Sequence, residues 1–396
     1  MPKLTQTTFD YRHKKISALM DTLQVDALIF TSADFFQFAT NFATDVQPWE
    51  RPILAVIPRE GPPFLIMNEL STNHVRFSIE NGKLWITDIS FYAEHPKVAN
   101  RLPLIGQLHE LVADRLQGAG LARSLIGVEG GSPVLTAAGR LLPGIHFRPS
   151  TPECRALRWQ KNEEELRVME AAAKLSDWVQ DRYRESIRPG RLVQELDCAM
   201  ASLFVQEAAE RFAGEHFEVI RTSTLSGQAS ASPHGDGASC GQRIKEGDVL
   251  VNSIIPRLNG LAVENERTWF CGKPTAQQAA LWTVAKDANE AAVAATRTGN
   301  PVSASDAAAQ AVIEKAGFGE SIKHRTGHAI GVLHHEYPED MAFSFRRLLK
   351  NEVYSAQPGL YVHGIGGFRL GDTLVVGREP RALTHTPHTL EYATVA

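Results

Sequence analysis

At 396 residues the chain is longer than one hydrophobic core of ordinary size, so two domains are expected. With 43% hydrophobic and 22% charged residues it is a globular chain, which excludes disorder as a description of the whole. Forty-one Lys and Arg against 45 Asp and Glu leave a formal charge of -4, which provides no basic field for nucleic acid or a membrane surface.

The four cysteines, Cys154, Cys198, Cys240 and Cys271, are widely spaced and form no CxxC pair. That argues against a disulfide framework or a thiolate zinc site and fits a reducing compartment. The first residues carry no apolar leader segment, and no apolar run approaches membrane-spanning length. A cytoplasmic protein is the expectation.

Along the chain, a helix is expected over Arg12–Leu23, then a buried strand at Val25–Phe30. Further strands are expected at Pro52–Pro58, Pro63–Met67, Lys83–Ile89 and Leu125–Glu129, with a helix at Pro103–Gln117 between the last two. This alternation predicts an α/β domain over residues 1–155, leaving through Pro149-Ser150-Thr151-Pro152. The rest, 156–396, opens with a long amphipathic helix over Lys161–Ser186. Its stripe is Val168, Ala172, Leu175 and Val179, and acids crowd its first turn.

An internal echo follows. Arg188-Pro189-Gly190 with Val193 and Asp197 is matched by Arg297-Thr298-Gly299 with Val302 and Asp306. Each R-x-G-x-x-V-x-x-x-D follows a long helix and precedes another helix and strand-like segments. An α+β domain with internal duplication is expected, with a crevice between its halves for a small-molecule substrate.

Three clusters carry candidate chemistry. His324, His328, His334 and His335 are interleaved with Gly327 and Gly331, which suits a glycine-rich strand or loop better than a helix. His234 follows Ser232-Pro233. In Val263-Glu264-Asn265-Glu266-Arg267-Thr268, strand alternation puts Glu264, Glu266 and Thr268 on one face beside Trp269 and Phe270, where buried acids need a purpose.

These segments, in order, resemble the pita-bread fold of creatinase, aminopeptidase P, prolidase and methionine aminopeptidase, peptidase family M24. The resemblance rests on Gly247-Asp248-Val249-Leu250, Glu266-Arg267-Thr268, HRTGHAIG at 324–331, HEYP at 335–338, Pro358-Gly359-Leu360-Tyr361 and Phe368-Arg369-Leu370. It implies an α/β N-terminal domain, a pita-bread C-terminal domain, and a homodimer whose site is shared between subunits. Metallopeptidases of the family hold two divalent ions with two Asp, one His and two Glu. The matching positions here are Asn252, Glu264, His328, Gln357 and Gly371. Only Glu264 keeps a carboxylate, and hard ions need anionic oxygen donors, so no metal and no other cofactor is expected.

The resemblance to creatinase, which lacks metals, implies a metal-independent hydrolase of a C–N bond. Its substrate would be small, nitrogen-rich and carboxylate-bearing. In that expectation His234 is the general base and acid, and Glu266 stabilises positive charge, helped by Glu264. His328 and His335 hydrogen-bond the reacting carbonyl. Arg51 pairs with the substrate carboxylate, and Gln357, Glu336, Asn252 and Arg369 complete the binding set. For Arg51 a surface ion pair with Glu50 remains the alternative reading. Two other functions stay open: a divergent Xaa-Pro metallopeptidase, and a catalytically silent peptide-binding protein.

Overall fold

The computed structural model describes residues 2–44, 46–96, 103–233, 239–336 and 341–395. It divides into two compact units, one spanning Leu4–Trp159 and one running from Gln160 onward and including the first three residues.

In the N-terminal unit, α1 (Gln6–Leu23) is followed by β1 (Ala27–Phe30), α2 (Ala33–Thr40), β2 (Leu54–Pro58), β3 (Phe64–Asn68), α3 (Thr72–Glu80) and β4 (Ile89–Tyr92). Then come α4 (Leu108–Gly118), β5 (Leu125–Val128), α5 (Pro133–Leu141), β6 (His146–Pro149) and the short α6 (Thr151–Arg155). The strands form one six-stranded sheet in the order β4-β3-β2-β1-β5-β6. Every residue of β1, β2 and β3 is buried, which is why these segments read as unbroken apolar runs rather than alternating ones.

One expected strand lies elsewhere. Lys83–Ile89 has no ladder over most of its length, and the strand is β4, beginning at Ile89, where it lies parallel to β3. Its apolar residues are buried all the same: Leu84 and Ile86 are core side chains without a ladder.

The C-terminal unit repeats one pattern. Two helices, α7 (Glu163–Ser186) and α8 (Val193–Arg211), precede β7 (Phe217–Ser226), β8 (Val249–Leu258), the short β9 (Leu261–Ala262) and β10 (Asn265–Cys271). Two more, α9 (Ala276–Ala295) and α10 (Ala304–Lys315), precede β11 (Gly327–Ala329), β12 (Val353–Ala356), the hairpin of β13 (Gly359–Val362) and β14 (Gly366–Arg369), and β15 (Asp372–Val375). The chain closes with β16 (Arg381–Ala382), α11 (Leu390–Ala393) and β17 (Thr394–Val395). One sheet runs β17-β10-β8-β7 and another β11-β12-β15-β16.

The sequence echo has a structural cause. Gly190 and Gly299 both adopt left-handed backbone, φ +86° and +90°, at the turn between paired helices. Asp197 then accepts the backbone N–H of Thr224 at 3.0 Å, and Asp306 that of Thr326 at 2.7 Å, each tying its helix to the chain ahead. The duplication is therefore real in backbone terms. The halves meet where Glu266 and Gly371 exchange two backbone hydrogen bonds, each 3.0 Å. No helix among the described residues is long and apolar enough to cross a membrane.

Candidate active site

A cavity of about 130 Å³ lies in the C-terminal unit, and Glu264, Glu266, His328, His335, Gln357 and Arg369 all line it. Strand alternation at β10 does the first part of the work. Glu264, just ahead of the strand, and Glu266 turn into the cavity, while Arg267, the next residue along, turns away. Its guanidinium donates to the carbonyls of Glu266, Gly371 and Thr386 and pairs with Asp372 at 2.9 Å. That buried pair fixes β10 against β15 from behind.

The two glutamates share burial and differ in company. Burial pushes the Glu264 carboxyl up, but the hydrogen bond and charge of His328, with Ser355 and Arg369, outweigh it and hold it down near 2. Its Oε2 lies 3.4 Å from His328 Nε2 and accepts Gln357 Nε2–H at 3.3 Å. Glu266 is raised to about 7: burial dominates, Arg369 opposes it, and the neighbouring Glu264 charge adds to it. Arg369 reaches Glu266 Oε1 at 2.8 Å, while Oε2 is buried with no hydrogen-bond partner among the described residues.

His328 is the residue that β11 delivers, so the glycine-rich segment is a strand, as its composition predicts. Its Nδ1 faces the Ala329 carbonyl at 3.0 Å, which turns Nε2 to the cavity, 2.9 Å from Gln357 Nε2. The His335 ring lies 3.6 Å from that of His328 and faces Arg325 Nη2 at 3.3 Å. Burial first, and then the charge of His328, push His335 down to about 3, so it stands neutral at physiological pH. His324 faces the Tyr361 hydroxyl at 2.8 Å, and burial raises that phenol to about 12.

Other expected residues fall outside the cavity. Asn252 is sealed in, its carbonyl accepting from the Arg267 amide, Trp269 Nε1 and Gln180. Glu336 is buried and accepts the Leu333 amide at 3.2 Å. Arg51 belongs to the N-terminal unit, where Glu50 and Glu94 both pair with it, so its guanidinium is already engaged. His234 lies outside the described residues. Sequence reasoning missed Arg221 and Arg325 on the cavity wall, because a lone arginine on a strand or before one carries no local signature.

The donors do not fit a bridged pair of divalent ions. Asn252 spends its carbonyl on backbone and indole, Gln357 turns N–H groups inward, and Gly371 has no side chain. Among the described residues no group of three or more His, Cys, Asp or Glu is placed to hold an ion. The creatinase-like arrangement is not realised either. Arg369 already occupies Glu266, and the second expected glutamate is Gln357, so no pair of acids is left open for a guanidinium.

Comparison with known proteins bears on the same question. Residues 167–378 match the model of metallopeptidase family M24, and residues 12–160 that of the creatinase/prolidase N-terminal domain. A putative dipeptidase of Bacillus subtilis, YkvY, is 28% identical over 368 residues, covering 92% of this chain and 94% of its own. The Xaa-Pro dipeptidase of Pyrococcus horikoshii is 28% identical over 245 residues, 62% of this chain and 68% of its own. Dipeptidase PepE from Mycobacterium ulcerans superposes with a TM-score of 0.81 at 25% identity, covering 99% of each chain. These relatives overturn the expectation of a metal-independent, creatinase-like hydrolase, since the names they bear are those of dipeptidases. With two-domain architecture and motif order in agreement, this chain belongs to metallopeptidase family M24.

Proposed function

We propose that the C-terminal unit hydrolyses the C–N bond of short peptides, with Glu266 as the group that moves the proton. The observation carrying this reading is the pair of carboxyls at the start of β10, whose surroundings separate them: Glu264 is held ionised and Glu266 is raised to about 7. A group whose pKa sits near the working pH both accepts and returns a proton efficiently. The carboxylate of Glu266 takes a proton from water as the water oxygen bonds to the peptide carbonyl carbon. Arg369 supplies a donor for the tetrahedral oxygen. Collapse breaks the C–N bond, and the proton held by Glu266 passes to the departing amine.

Turnover of a dipeptide panel tests this. For the wild type, kcat/KM rises with pH through about 7 as Glu266 loses its proton. Glu266→Gln lowers kcat roughly 10²- to 10⁴-fold and removes that limb, with the far-UV spectrum unchanged. A variant that keeps both rate and limb overturns the assignment. The neutral donors at 252 and 357 favour a second reading, peptide binding without turnover. Calorimetric binding with no release of amino acids would establish it.

A further inference from the structure

The charges lining the cavity do not cancel. Glu266 is taken up by Arg369, and Glu264 by His328. Arg221 on β7 also lines the cavity, yet no ion pair or hydrogen bond holds its guanidinium among the described residues. Its charge reaches both Glu266 and His334. Arg325 adds a further positive group on the same wall, facing the neutral ring of His335. A second observation concerns the strand. β7 pairs with β8 in register up to Val219–Pro256, slips at Ile220, and resumes at Arg221–Ile255. Such a bulge changes which face the following side chains present, and here the first residue past it is the cavity arginine. The expected carboxylate receptor, Arg51, is engaged by Glu50 and Glu94 in the other unit.

We infer that Arg221 is the anchor for a free carboxylate on the substrate, with Arg325 reinforcing the field. This rests on the peptide-hydrolase reading and narrows it: the substrate is a peptide short enough for its C-terminal carboxylate to reach β7 while its C–N bond lies beside Glu266. Arg221 is then a specificity residue. A guanidinium offers a planar, two-pronged match to a carboxylate, which a C-terminal amide does not return.

The test compares dipeptides as free acids and as C-terminal amides. The wild type favours the acid in KM by about tenfold or more. Arg221→Gln raises KM for the acid about tenfold to a hundredfold, alters kcat much less, and moves KM for the amide within about twofold. Arg221→Lys recovers part of the loss, since it restores charge without the fork. Equal handling of acid and amide by wild type and Arg221→Gln overturns the anchor and leaves peptide hydrolysis standing. If dipeptides are bound but not cleaved, calorimetry takes over as the readout. Acid-selective binding lost in Arg221→Gln then supports the anchor while refuting hydrolysis. No binding of either form refutes both.

Discussion

The two halves of the C-terminal unit share a frame and differ in what they carry. In the first half the cavity receives Glu264 from just before β10, Glu266 from β10 and Arg221 from β7; in the second it receives His328, Gln357 and Arg369. The frame residues match: a left-handed glycine at each helix turn, and an aspartate at each helix start that captures a backbone N–H further on. Positions that set backbone geometry thus remain equivalent while the side chains on the inner face diverge. The divergence lets charge in one half meet its complement in the other, as Glu264 meets His328 and Glu266 meets Arg369. A symmetric cavity would place acid against acid or imidazole against imidazole. Asymmetry is what makes two like carboxyls chemically different.

The comparison breaks most completely at the bond that ties the halves from behind. Arg267→Met strands Asp372, whose carboxyl is held low chiefly by Arg267 against its burial, with His388 assisting. A loss of about 3–5 kcal/mol in urea unfolding is expected, the usual consequence of removing one member of a buried pair. A loss below about 1 kcal/mol would show that β10 and β15 are held by their apolar neighbours instead.

The frame aspartates sharpen the comparison through pH. Burial raises Asp197 to about 6, against the hydrogen bonds of Thr224 and Tyr183. Its folded value exceeds its unfolded one, so the folded state binds the proton more tightly. The stabilisation from this group is full below about pH 4 and gone above about 6, on the order of 2 kcal/mol across that window. Asp197→Asn should flatten the wild-type decline in stability between pH 4 and 6, followed by denaturant melts at fixed temperature. An unchanged slope would place the decline elsewhere. The smallest effect is expected at the seam. A Cβ on Gly371 would stand 2.8 Å from Glu266 Oε2 and 3.0 Å from Gln357 Cβ, so Gly371→Ala costs about 1 kcal/mol and shifts the pH limb assigned to Glu266. Thermal melting and the pH–rate profile read the two parts separately.

How far this was legible in the sequence depends on the range of the cause. The Arg188–Asp197 and Arg297–Asp306 echo is visible because a turn needing positive φ demands glycine locally. The shared face of Glu264 and Glu266 follows from strand alternation alone. By contrast α2 packs Phe35, Phe36 and Phe38 into eight residues and leaves only Asp34 and Gln37 as polar side chains on its less buried side, too short a stretch for a helical period to stand out in the sequence. Lys83–Ile89 reads as a strand because Leu84 and Ile86 are buried, yet burial without a partner leaves it unladdered. Arg221 owes its place to a register slip between β7 and β8, a tertiary event with no signature in neighbouring residues. That positions 252, 357 and 371 carry no acid is plain in the sequence; that Arg369 would claim Glu266 was not, because the two are 103 positions apart and meet only through the fold.

The crowding at Gly371 also makes the order of mutational steps matter. The Glu266 carboxylate occupies space that a side chain at 371 would require. An acid introduced at 371 meets the Glu266 carboxylate, and trimming Glu266 removes that contact while Gln357 Cβ stays 3.0 Å away. In laboratory evolution toward cation binding, a change at 371 is therefore expected to gain more once 266 has been trimmed than when made alone.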